Sequence, residues 1–282
     1  MDSLQQRMHY AIARCKTAEY EEAKIVINQL LKTYKRKKQQ DKIEHCLFYL
    51  ACIAYVRGEM NVFLSHYKEL ERLQSNEQQA PHFLIRGYYT LQQQQYKLAL
   101  GLFSNAAAFP EDDNSISIKA FALLSKANCQ LLLGDAEHAL ATLNNVYSKY
   151  TEQIAEDAGL FFQFHLNRCD TLLSLRRPDE MRAHLAACEA HLDFPILYKE
   201  QARTLTTWAK MYLVKREPNR AFHSLQQALA FFQNFDDYHL HNEIFEGLIT
   251  CCEMLGKHKQ ALAFTRRQLQ LQDKAKGRML FL

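Results

Sequence analysis

The reading of this chain turns on one stretch, Asn128-Cys129-Gln130-Leu131-Leu132-Leu133-Gly134-Asp135-Ala136-Glu137-His138-Ala139. Before it, Leu123, Ala127 and Gln130 to Leu131 continue an apolar stripe. After it, Ala139, Leu143 and Val146 begin another at spacing i, i+4, i+7. That period belongs to amphipathic helices, and Gly134-Asp135 between the stripes is a turn signal. The stretch predicts two helices folded back on each other.

The same shape recurs along the chain. It stands in Ala18-Glu19-Tyr20-Glu21-Glu22-Ala23, Gly58-Glu59-Met60-Asn61-Val62-Phe63, Gln94-Gln95-Tyr96-Lys97-Leu98-Ala99, Arg177-Pro178-Asp179-Glu180-Met181, Glu217-Pro218-Asn219-Arg220-Ala221 and Gly256-Lys257-His258-Lys259-Gln260-Ala261. Aligned on their last residues, the seven copies end at 23, 63, 99, 139, 181, 221 and 261, at intervals of 40, 36, 40, 42, 40 and 40. Repeats of this length signal a stacked array. Gly58, Gly134, Gly256, Pro178 and Pro218 fall at the turn inside a unit, whereas Pro81, Pro110 and Pro195 fall between units. Helices close together need small residues where their axes approach. Such residues recur as Ala11, Ala51, Gly87, Ala127 and Cys169 on first helices, and as Ala23, Ala99, Ala139, Ala221 and Ala261 on second helices.

The small residue at the eighth position of a unit, the Gly-Asp/Glu-aromatic turn, the Ala at the twentieth position and the apolar residue at the twenty-fourth resemble the tetratricopeptide repeat. Asn128 to Ala139 and Arg57 to Tyr67 show the likeness best. The units are longer than the ~34 residues usual for that repeat. In this they are similar to the arrays of bacterial transcription regulators, peptide-pheromone receptors and sensor kinases or cyclases. The resemblance implies an all-α fold, a right-handed α-solenoid of about seven hairpins and fourteen helices. It would form one domain over 1–282, with units at about 4–40, 41–79, 80–114, 115–151, 152–196, 197–236 and 237–282.

Composition agrees. The chain has 282 residues, of which only 8 are Gly and 5 Pro, too few turn residues for a many-stranded sandwich or barrel. With 48% apolar and 23% charged residues it reads as a globular protein. Its longest uncharged run, Ala221 to Phe235, is too short and too polar for a membrane span. The amino-terminal residues do not form a secretory signal, so a cytoplasmic location is expected, and the eight cysteines read as reduced thiols. The net charge of +4 comes from one cluster, Lys32 to Lys42, which reads as a solvated helix end.

In such an array the first helix of each unit lines the inner surface. The inward positions carry Phe48 and Tyr55 in the second unit, Tyr88 and Leu91 in the third, and Phe121, Leu124, Asn128 and Leu131 in the fourth. Asp170 follows in the fifth unit, and Arg203 and Lys210 in the sixth. These residues are the candidate ligand-binding set. The aromatic members offer anchor pockets for apolar side chains of a bound segment. Arg203 and Lys210 can meet an acidic group. The Asn128 amide both donates and accepts, and the resemblance implies that it pairs with a ligand backbone. The competing reading is that some of these residues pack across a tight superhelix.

Chemistry of other kinds is not expected. The chain lacks G-x-S-x-G, H-E-x-x-H and glycine-rich phosphate loops, so no catalytic residue and no cofactor is assigned. His184, Cys188 and His191 share a helix face, but Cys188 holds a packing position, and no metal site is assigned. His165 reads as a core residue, and Glu243, Glu246 and Glu253 as an acidic surface. The expected function is non-enzymatic recognition of a peptide or protein partner in a sensory or regulatory setting. The alternative is a structural adaptor that assembles a complex through its convex face and ends. Neither membrane nor nucleic acid is an expected partner; a regulator contacting nucleic acid through Lys35 to Lys38 ranks last. The apolar ending Met279-Leu280-Phe281-Leu282 suggests an output domain beyond Leu282, or a homodimer through the last helix.

Overall fold

A computed structural model describes residues 3–73, 79–110, 116–191, 198–235 and 237–279, with side chains through 273. The ending Met279-Leu280-Phe281-Leu282 therefore lies, apart from the Met279 backbone, outside the described residues. Among the described residues there are fourteen α-helices and no strand. They are α1 (Ser3–Lys16), α2 (Tyr20–Lys37), α3 (Gln40–Val56), α4 (Met60–Leu73), α5 (Ala80–Gln92), α6 (Tyr96–Ala108), α7 (Ile116–Leu132) and α8 (Ala136–Glu156). They continue with α9 (Ala158–Ser174), α10 (Met181–Glu189), α11 (Tyr198–Val214), α12 (Pro218–Ala230), α13 (Tyr238–Met254) and α14 (His258–Met279). Single 3₁₀ turns at Pro178–Glu180 and Phe232–Asn234 precede α10 and follow α12. None of the described helices is long and apolar enough to cross a membrane.

The turns explain the regular spacing. Each of the seven holds one residue at positive φ: Ala18 (61°), Gly58 (71°), Gln94 (59°), Gly134 (85°), Arg176 (58°), Arg216 (59°) and Gly256 (68°). This left-handed residue ends the first helix in a Schellman closure. At the first turn the Ala18 N–H donates to Cys15 O at 3.1 Å and the Glu19 N–H to Arg14 O at 2.8 Å. The same pair forms at Gly134 (to Leu131 O, 2.9 Å) and Asp135 (to Gln130 O, 2.9 Å). Three of the seven turns use glycine, which takes this conformation freely; the other four hold it against a steric cost of about 1–2 kcal/mol. The repeat is kept by backbone geometry even where its glycine is lost.

The small residues sit between helices. Ala11, Ala23, Ala51, Ala99, Ala139, Cys169 and Ala221 are wholly buried. At Gly87 an added Cβ would come within 2.5 Å of the Phe103 ring, so only glycine lets α5 and α6 meet there. Met181, the large residue at this position in the fifth copy, is also fully buried.

The chain forms two compact units, Met1–Arg176 and Arg177–Leu282. In the first, α1 packs with α2, α3 with α4, α5 with α6 and α7 with α8, and alternate helices also touch: α3 with α5, α5 with α7, α7 with α9. The helix α8 continues through a kink at Tyr150 (φ −125°) to Glu156, which places the start of α9 at Asp157. Part of the first unit's core consists of Ala120, Leu124, Ala127, Leu143, Val146, Leu160 and Phe164. In the second unit α11 packs with α12, α13 with α14 and α11 with α13, around Ala209, Leu225, Ile244, Phe245 and Leu248.

Candidate functional site

First helices of successive hairpins in the first unit line an open-mouthed cavity of about 340 Å³. Its wall takes Ile12, Cys15 and Lys16 from α1, Phe48, Tyr49, Cys52 and Tyr55 from α3, Leu84 and Tyr88 from α5, Ser117 and Phe121 from α7, and Asp157 from the cap of α9. The spacing of these residues is helical: Phe48, Cys52 and Tyr55 lie one turn apart on α3 and so share a face. A second hollow of about 570 Å³, which Phe48 also lines, lies among Asp41, Glu44, His45, Tyr67, His82 and Arg86.

Of the residues read from sequence as inward-facing, the cavity brings four together: Phe48, Tyr55, Tyr88 and Phe121. Tyr55 and Tyr88 stack with ring centroids 4.0 Å apart, and Tyr88 also meets Phe103 edge-on at 5.4 Å. The Tyr88 hydroxyl accepts a hydrogen bond from Ser125 Oγ at 3.4 Å, and Ser125 in turn accepts from Gln163 Nε2 at 3.0 Å. The aromatic wall is thus held rigid from behind, which lowers the ordering cost of binding.

The remaining candidates lie elsewhere. Leu91 is buried, and Leu124 is wholly enclosed because α9 packs over it, with Asn167 Nδ2 donating to its carbonyl at 3.0 Å. Asn128, Leu131 and Asp170 are half-buried and do not line the cavity. Arg203 and Lys210 belong to the second unit, where Lys210 pairs with Glu243 of α13, so the acid it was expected to meet in a ligand is supplied by the chain itself. His165, read as a core residue, is half-buried against the Phe161 ring at 4.4 Å. Cys188 is fully buried, and His191 Nδ1 lies 2.9 Å from Ala187 O.

Sequence reasoning missed the charged residues of the cavity, Asp157 and Lys16. Asp157 is 8% exposed. It caps α9, its Oδ1 accepting from the Gly159 N–H at 2.9 Å and the Leu160 N–H at 3.1 Å. Gly159 makes room for this, since a Cβ there would crowd both Asp157 Oδ1 and the Phe121 ring at 3.2 Å. Burial raises the carboxyl pKa to about 6 against the lowering effect of the two N–H groups and, more weakly, of Lys16. The acid in turn acts on the groups facing it. Burial pushes the Cys15 thiol up to about 12, with Asp157 adding to the rise, and Cys52, Tyr49 and Tyr88 are raised for the same reasons. Cys15, Cys52, Tyr49 and Tyr88 are therefore neutral at pH 7; Asp157 shares the wall with Lys16 and His9.

No protein-family model matches the chain, and no curated protein matches it. Solved structures do. A Rap protein complexed with Competence and Sporulation Factor aligns with a TM-score of 0.75 at 14% identity, over 96% of this chain and 76% of that one. The APC/C hetero-tetramer Cut9–Hcn1 gives 0.60 at 14% identity over 96% of this chain and 50% of that one, so this chain spans half the length of that relative. At such identity the likeness concerns the fold, which is a tetratricopeptide-like, all-α helical repeat.

Proposed function

We propose that this protein is a non-catalytic binding module that receives a segment of a peptide or protein partner in the cavity of its first unit, in a regulatory or sensory role in the cytoplasm. The observation that carries this reading is the cavity's wall. Phe48, Tyr49, Tyr55, Tyr88 and Phe121 converge on one space from three different helices. Aromatic side chains around one concave space are what the anchor residues of a bound segment need. The setting is supported by the likeness to a Rap protein that was solved bound to Competence and Sporulation Factor.

The test is selection of random dodecapeptides on phage, with Cys52→Trp and Phe121→Ala as comparisons and circular dichroism to confirm their folding. Tryptophan at 52 projects a bulky ring into the cavity and the Phe121 truncation removes an anchor wall. Selected peptides are expected to bind both variants at least tenfold more weakly. Peptides that bind Cys52→Trp undiminished would contradict the reading and point to surfaces outside the cavity, as an adaptor would use.

A further inference from the structure

We propose that Asp157 anchors a cationic nitrogen of the bound segment, a Lys or Arg side chain or a free N-terminal amine, and that Ser117 leaves room for it by standing where another hairpin carries an internal lysine. This inference rests on the reading of the cavity as a peptide site and assigns the chemistry of its ligand.

The repeat supplies its own comparison. Asp157 lies nineteen residues before the positive-φ residue Arg176, and Asp237 lies nineteen before Gly256. Both cap the first helix of a hairpin, and both are buried. Asp237 is neutralised from within: Lys199 Nζ, on α11, sits 2.9 Å from its Oδ2. Lys199 lies seventeen residues before Arg216. The residue seventeen before Gly134, on α7, is Ser117. In each unit the two helices concerned pack together, α7 with α9 and α11 with α13. The first unit therefore keeps the acid and lacks its lysine, and the place of that lysine is part of the cavity wall.

What faces Asp157 instead is space and aromatic rings, with Lys16 and His9 elsewhere on the same wall. Its Oδ1 is used by the helix cap. Among the described residues no ion pair within 4 Å joins it to Lys16, which lines the same cavity. A buried carboxylate without a counter-charge is unfavourable, and a ligand cation entering between the rings of Tyr49, Tyr55 and Phe121 would relieve it. Those rings favour a cation in their own right. A carboxylate or phosphate seated against Asp157 would be repelled, so the group that takes this place carries a positive charge.

The test uses a positional-scanning library of synthetic hexapeptides with free N-termini, read by fluorescence against the intact chain. The strongest pools are expected to contain Lys or Arg or to need the free amine. Replacing Lys by norleucine or Arg by citrulline, or acetylating the N-terminus, should weaken binding at least tenfold, and whichever change does so names the source of the cation. Asp157→Asn retains an N-cap side chain but removes the charge; against it the same neutralisation should cost less than threefold. Ser117→Lys, folded by circular dichroism, should lose the cationic peptides at least tenfold. Binders that tolerate neutralisation of every cation, or that lose equally on wild type and Asp157→Asn, would overturn this proposal and leave peptide binding standing. A library in which no pool binds would overturn both.

Discussion

Asp157 in the first unit and Asp237 in the second cap equivalent helices, take hydrogen bonds from backbone N–H groups and are more than nine-tenths buried. Yet their acidities move in opposite directions. Burial raises Asp157 to about 6. Asp237 feels a burial penalty too, but the charge and hydrogen bond of Lys199 overcome it and bring it to about 2. The largest difference is one side chain, lysine at 199 and serine at 117, with His239 adding a smaller lowering at Asp237. A capping aspartate in this repeat is thus a structural device when the neighbouring hairpin completes the ion pair. Without the lysine it is a binding group, held in place by the same cap.

The largest test of this contrast is to remove the lysine. Lys199→Met leaves Asp237 buried without its partner and is expected to cost about 3–5 kcal/mol at pH 7 in urea denaturation. Part of that loss should return in acid as Asp237 takes a proton. A loss under 1 kcal/mol would mean that the internal pair is not what separates the two sites.

Next in size is the pH dependence of Asp157. Its pKa is raised on folding, so the folded state favours the protonated acid, and stability falls as pH rises from about 4 to about 6. The stability of Asp157→Asn relative to wild type should therefore improve by about 2 kcal/mol between pH 4 and pH 7. Of the groups that share the cavity wall with the acid, Cys15, Cys52, Tyr49 and Tyr88 are raised further from that range, and the comparison of Asp157→Asn with wild type cancels what Lys16 and His9 contribute to both. A pH-independent difference would break the account of a raised Asp157.

Supplying the missing partner is a smaller change. Ser117→Lys should stabilise the unbound chain at pH 7 by about 1–2 kcal/mol and flatten the pH dependence attributed to Asp157, measured by thermal melts across the same range. The smallest expected effects belong to the turns, where the two units ought to behave alike. Gln94→Gly in the first unit and Arg216→Gly in the second each relieve a left-handed non-glycine residue, for a gain of about 0.5–1 kcal/mol. Unequal gains would show that the turns are not equivalent.

The fold was legible because it rests on local features. Small residues at 23, 99, 139, 221 and 261 mark the second helices, and five residues before each stands the positive-φ position that closes the turn. The aromatic wall was legible for the same reason, since Phe48, Tyr55, Tyr88 and Phe121 hold inward positions of first helices. Asp157 was not. A cap is recognisable only once the helix boundary is known, and the continuation of α8 past its kink at Tyr150 to Glu156 hid that boundary. Leu124 and Lys210 show another limit. Whether an inward position faces space, a covering helix or an opposite charge depends on the neighbouring hairpin, as α9 over Leu124 and Glu243 beside Lys210 demonstrate.

The most direct measurement is the carboxyl titration of Asp157 and Asp237 in the unbound protein, followed by carbon-13 NMR with single-site substitutions for assignment. The account predicts that Asp157 titrates near 6 and Asp237 near 2. An Asp157 that titrates below 4, together with Asp237, would mean that a cation of the chain already neutralises it, and the cavity would have no charge to offer a ligand.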